Sequence, residues 1–151
     1  MVGMIDVGRK KIVDREAVAE GRIRLKPSTL SAIVRGEIKK GDVVTSSKLA
    51  GIQAAKATSQ LLPLCHQIPL TSISVDITMQ GRVLAARCTV SARYSTGVEM
   101  EALVGASAAL LNVWDMVKYL EKDKRGQYPE TSILDLRVLS KKKGGRRDGS
   151  R

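Results

Sequence analysis

Residues 73–92 carry the pattern that most narrows the fold. Ile73, Val75, Ile77 and Met79 alternate with Ser74, Asp76 and Thr78, which is the two-residue period of a half-buried strand. Gln80-Gly81 supplies a turn. Val83 to Ala92 then alternates again, with Leu84, Ala86, Cys88, Val90 and Ala92 on one side and Val83, Ala85, Arg87, Thr89 and Ser91 on the other. Two such runs joined by a glycine-containing turn form a β-hairpin. One face of that hairpin has to be covered.

The flanking sequence supplies the cover. Arg22 to Lys26 alternates as a strand and ends at Pro27. Ser28 predicts the cap of a short helix, Thr29 to Arg35, stopped at Gly36. Lys39-Lys40-Gly41-Asp42 is a turn signal, and a small-residue helix is predicted from about Lys48 to Gln60. Pro63 and Pro69 bracket Leu64-Cys65-His66. Helix should therefore stop near Leu62, and the segment between the prolines should be extended. Met100 to Lys122 is the longest helical pattern, with an apolar stripe of Leu103, Ala106, Leu110, Val113, Trp114 and Val117. Ile133 to Leu139 predicts a last strand. Residues 1–20 read as a loosely structured arm, and residues 141–151 as a basic, glycine-containing mobile tail. The order strand, helix, helix, strand, strand, helix, strand predicts one α+β domain over residues 1–140. Its core would be a four-stranded antiparallel sheet of the split β-α-β kind, with helices packed on one face.

Charge and composition narrow the function. The last eleven residues carry +5 of the formal +11, which leaves +6 on the first 140. A domain this basic suits an anionic ligand. The chain has no Phe, three Tyr and one Trp, too few aromatics for stacking on single-stranded nucleic acid. A duplex-binding protein driven by the tail is the competing reading, but it leaves Asp115, Glu99 and Glu101 without a purpose. No run approaches the ~18 apolar residues of a membrane span. No secretory leader is legible, and two cysteines make no disulfide framework. A cytoplasmic protein without a membrane partner is expected.

Four places join reactive side chains to constrained backbone: Leu64-Cys65-His66, Lys40 before Gly41, the turn Thr96-Gly97 leading to Glu99-Met100-Glu101, and Asp115 with Lys118. Each has an ordinary structural explanation. A single histidine in an apolar run is commonly a core residue, and first-turn glutamates complement the helix dipole. An i,i+3 ion pair is worth ~0.5 kcal/mol or less. At ~100° per residue, however, Asp115 and Lys118 fall on the flank of the apolar stripe near Leu111. A charged pair at a buried margin is expected to show shifted proton affinities. One His and two Cys make a poor metal set, so no metal site is expected.

The segments K-K-G-D (39–42), A-G-I-Q-A-A-K-A-T (50–58), L-L-P-L-C-H (61–66), T-G-V-E-M-E-A-L (96–103) and W-D-M-V-K (114–118) precede a final strand and a basic tail with paired glycines. In that order they resemble the MoaC family, the cyclic pyranopterin monophosphate synthases of molybdenum-cofactor biosynthesis, from Met4 to Gly145. The resemblance implies a ferredoxin-like fold and a lyase of the phosphorus–oxygen type. Its substrate would be (8S)-3′,8-cyclo-7,8-dihydroguanosine 5′-triphosphate, converted to cyclic pyranopterin monophosphate with release of pyrophosphate. It also implies a homo-oligomer, a hexamer built as a trimer of dimers, with active sites at the dimer interface.

By motif, the resemblance places Asp115, Lys118 and Lys40 in catalysis. It sets Leu64, Cys65, His66, Met100 and Glu101 against the substrate, with Glu99 beside them and Lys56 lining the pocket. Lysines neutralise a triphosphate without a resident metal, so no cofactor is expected; Mg²⁺ carried by the triphosphate is left open. A lysine of depressed proton affinity would move protons during ring opening and reclosure. On this hypothesis Lys118 and Lys40 share the acid–base work, Asp115 positions Lys118, and His66 and Glu101 hold the base. Gln67 stands where the family usually has proline, and Ala57 where many members have arginine, one cation fewer near the phosphates.

Overall fold

The computed structural model describes residues 1–144. The elements are β1 (Val13–Arg24), α1 (Pro27–Val34), α2 (Val43–Lys56), α3 (Thr58–Leu61), β2 (Leu70–Gln80), β3 (Val83–Tyr94), α4 (Glu99–Glu121) and β4 (Ser132–Lys143). The four strands form one antiparallel sheet in the order β2-β3-β1-β4. This is a ferredoxin-like α+β fold, with α4 laid across β1 and β3 and α2 packed beside it over β2. The hairpin closes at Gln80 opposite Val83, with Gly81 at φ +62°. That left-handed turn conformation is one glycine adopts at little cost.

The sheet is longer than the sequence pattern suggests. Residues 13–20, read as part of a loose arm, belong to β1, a central strand paired along its length with β3. Its buried face carries Ala17, Ala19, Gly21 and Ile23 in place of large aliphatics, because α4 lies very close. A Cβ on Gly21 would stand 2.8 Å from Leu110 Cδ1. Its other face carries charge, including a buried Glu20 that accepts from Arg87 Nε at 3.0 Å. A strand of small and charged residues mimics a polar arm.

At the other end, Lys141–Lys143, assigned from sequence to a mobile tail, complete β4 and pair with β1. The remainder of that tail, 145–151, lies outside the described residues. The α2 helix starts at Val43, five residues before the predicted point, because Asp42 caps it by accepting from the Thr45 N–H at 3.0 Å. Lys26, not Ser28, is the N-cap of α1, whose first residue is Pro27. Leu64 and Cys65 are not extended: Pro63 sits in a turn that brings the Cys65 N–H 3.0 Å from the Leu62 carbonyl.

Two features fix α4. Gly51 of α2 meets Gly105 of α4, and a Cβ on Gly51 would lie 2.8 Å from the Gly105 carbonyl oxygen. At the far end Glu121 is fully buried. Its carboxylate accepts from the Lys26 N–H at 3.1 and 3.2 Å, from the Thr131 hydroxyl at 2.8 Å and from the Thr29 hydroxyl. These bonds tie the last turn of α4 to the start of α1 and to the approach to β4. The α4 helix is long and apolar enough to cross a membrane by length and composition alone, but Ala102, Ala106, Ala109, Leu110, Val113 and Val117 make it the core helix of the domain.

Candidate functional site

The residues singled out by sequence gather at the two ends of α4. At the C-terminal end, Asp115 accepts from two lysines. Lys40 Nζ stands 2.6 Å from Oδ2, and Lys118 Nζ stands 3.0 Å from Oδ1. Lys40 is delivered by the turn predicted for it. Ile38 is buried, its carbonyl takes the Gly41 N–H at 3.0 Å, and Gly41 has φ +107°. Lys39 adds a cation 5.2 Å from the centre of the Tyr119 ring, and its N–H donates to the Tyr119 hydroxyl at 3.0 Å.

The electrostatics here correct one expectation. Asp115 and Lys118 do not sit at a buried margin: their side chains are 51% and 45% exposed. The hydrogen bond from Lys40, then that from Lys118, holds the Asp115 carboxyl below the usual carboxylate range. Lys118 is pushed up, not down, by its hydrogen bond to Asp115. In the isolated chain this end is a cationic clamp, in which the contact with Asp115 favours the charged form of Lys118.

The N-terminal end of α4 borders a cavity of about 400 Å³. Leu64, Cys65 and His66 form one wall, and Glu99, Met100 and Glu101 another. Gly3, Ile5, Val7 and Lys10 close a third side. Glu101 is buried, and burial, more than the nearby Glu99 charge, pushes its carboxyl up. Cys65 is raised by burial and then by Glu101, so this thiol is not an activated nucleophile. Burial pushes Glu99 up, but the Lys141 ammonium 2.6 Å from its Oε1 and other favourable contacts offset this and hold it low. The Glu99 carboxylate folds back over Gly97, where a Cβ would displace it. Lys56 stands behind this wall, in a small cleft shared with His66 and Glu101.

Every candidate residue therefore belongs to one of two clusters, but one chain does not unite them. Glu101 and Asp115 are fourteen positions apart on α4, about 21 Å at the helical rise. The sequence did not single out Ile5, Lys10 or Lys141 as site residues. The first two sit in an arm without periodicity, and Lys141 was hidden in a basic run. Among the described residues no group of three or more His, Cys, Asp or Glu side chains could hold a metal ion.

Comparison with known proteins agrees with the motif order. The family model described as "MoaC family" matches residues 4–145. A protein of Thermococcus kodakarensis named "Probable cyclic pyranopterin monophosphate synthase" is 54% identical over 95% of this chain and 92% of its own length. Proteins with the same name from Archaeoglobus fulgidus and Sulfolobus acidocaldarius are 52% and 56% identical. They align over 96% and 91% of this chain and over 93% and 96% of their own lengths.

Proposed function

The chain belongs to the MoaC family, and we propose from this and from the site that it is a cyclic pyranopterin monophosphate synthase, acting in the cytoplasm. The relatives' names give the product, cyclic pyranopterin monophosphate; the reaction proposed here forms it by rearranging the cyclised dihydroguanosine triphosphate named above, with release of pyrophosphate. The observation that carries the mechanism is the division of the site between the two ends of α4. One end is cationic and exposed, and fits a polyphosphate. The other is a half-enclosed cavity with a buried carboxyl and an imidazole, and fits the polar edge of a purine-derived base.

A second copy of the chain joins the two. Residues 100, 104, 108, 111 and 115 follow one face of α4 at three- and four-residue spacing. Met100 and Leu111 are 41% and 59% exposed there. Ala108 is midway between Glu101 and Asp115. A two-fold axis near Ala108 would pack α4 antiparallel to its partner and set Asp115 of one chain beside Glu101 of the other. Three such dimers would give the hexamer expected from the family.

In the assembled site, Lys40, Lys118 and Lys56 hold the phosphates, and Asp115 keeps the first two in place. Covering Lys118 with the partner and the substrate base removes water from its ammonium. Desolvation opposes the charged form while Asp115 and the phosphates favour it, so Lys118 enters the reaction as a proton donor. No resident cofactor is needed for this chemistry. Incubation with the cyclised triphosphate, with and without EDTA, should yield pterin product and pyrophosphate in equal amounts. Absence of both without EDTA would contradict the assignment, whereas loss only with EDTA would show that Mg²⁺ accompanies the triphosphate.

A further inference from the structure

We propose that the N-terminal arm fixes the protonation pattern of His66, so that its imidazole meets the substrate as a proton acceptor through Nδ1. The proposal rests on the reading of the cavity beside His66 as the seat of the substrate's base.

The arm is a built element despite its lack of helix or strand. Val7 is buried. The Asp6 carboxylate accepts from the Gly8 N–H at 2.8 Å, and the Val7 carbonyl accepts from the Lys10 N–H at 3.0 Å. These consecutive turns hold the Ile5 carbonyl oxygen 2.7 Å from His66 Nε2. A carbonyl oxygen only accepts hydrogen bonds, so Nε2 carries the hydrogen. In the neutral ring, Nδ1 is then the lone-pair nitrogen. Among the described residues the only hydrogen bond to the ring is the one at Nε2, which leaves Nδ1 for a ligand.

Ile5 is 75% exposed while its carbonyl makes this bond. Ile5 therefore acts through its main chain, as a positioning residue and not a catalytic one. The consequence for the reaction is directional. His66 can accept a hydrogen bond or a proton from an N–H or O–H of the base as the ring opens and recloses. It cannot offer the Nε2 lone pair while the arm is seated.

His66 is the only histidine in the chain, so the ¹⁵N-labelled full-length protein shows a single imidazole spin system. The expected neutral form has hydrogen on Nε2 and a pyridine-type Nδ1. Asp6→Ala, which removes the turn that carries Ile5, should shift the tautomer ratio toward hydrogen on Nδ1 by about fivefold, the worth of one net hydrogen bond. Deleting residues 1–5, all exposed, removes the carbonyl itself and should do the same if Asp6→Ala folds poorly. Hydrogen on Nδ1 in the full-length protein, or an unchanged ratio in both variants, overturns the inference. No substrate is involved, so the two proposals fail separately. Wild-type protein without turnover refutes the function, whereas turnover with the other tautomer refutes only the role of the arm.

Discussion

Lys40 sets its ammonium 2.6 Å from the carboxylate of Asp115, 75 residues further along the chain. The contact joins a glycine turn before α2 to the outer face of α4. Asp115 also holds Lys118 at 3.0 Å, so one carboxylate keeps two cations, separated by their own repulsion, in one place. Exposed pairs of this kind add little stability; their value is in presenting charge. Asp115→Asn should leave the melting temperature within about 2 °C and reduce pyrophosphate release by about 10²- to 10⁴-fold. Lys118→Ala should do likewise, with the oligomer intact by light scattering. Normal turnover in both variants would remove these residues from the mechanism.

Glu101 should show the opposite balance, with stability and function opposed. Its folded-state carboxyl is raised by burial, so the native chain binds a proton that the unfolded chain releases more readily. Stability from this group therefore falls as pH rises through the carboxylate range and recovers as pH falls. Glu101→Gln should melt higher than wild type at neutral pH, with the difference shrinking on acidification, and should lose activity. Because Glu101 also raises the Cys65 thiol, the variant should react faster with a thiol reagent at that cysteine. A lower melting point at neutral pH and unchanged at acid pH would contradict the assignment of Glu101 as a buried cost.

The crossing of α2 and α4 is set by glycine. Gly51→Ala places a methyl 2.8 Å from a backbone oxygen and 3.0 Å from Val75 Cγ2. The backbone cannot retreat as a side chain can. Helix propensity returns up to about 1 kcal/mol, but overpacking should cost more, leaving a net loss of about 1–2 kcal/mol by chemical denaturation. Because the shift moves α2 relative to α4, the affinity for substrate should fall as well.

Glu121 is a structural counterpart to Asp115. Replacing it with alanine strands the Lys26 N–H and the hydroxyls of Thr29 and Thr131. The expected loss is about 3–5 kcal/mol, read from denaturant midpoints. A loss below about 1 kcal/mol would show that water replaces the carboxylate at this junction.

Much of this was legible in the residues, and the parts that were not share a cause. The hairpin and α4 carry large aliphatics at their proper periods, and both are found within a few residues of the expected bounds. The missed part of β1 buries Ala17, Ala19 and Gly21 under a closely packed helix, so its inner face lacks the bulk by which a strand is recognised. β4 continues through lysines paired with acids, Lys141 with Glu99 and Lys142 with Glu16 at 3.7 Å. In sequence, such a run resembles a solvated tail. The motifs located both clusters, but no pattern of residues gives the distance between them. That distance follows from fourteen positions of unbroken helix.

The most direct test of the divided site is complementation between inactive variants. Asp115→Ala disables the cationic end and Glu101→Ala the cavity end, and each homo-oligomer should be inactive. Co-expressed at equal levels, half of the dimers contain one chain of each kind. One of their two sites is then intact, so activity should recover to about a quarter of wild type. If mixed oligomers form and no activity returns, the two clusters do not meet across a subunit interface and the mechanism proposed here is wrong.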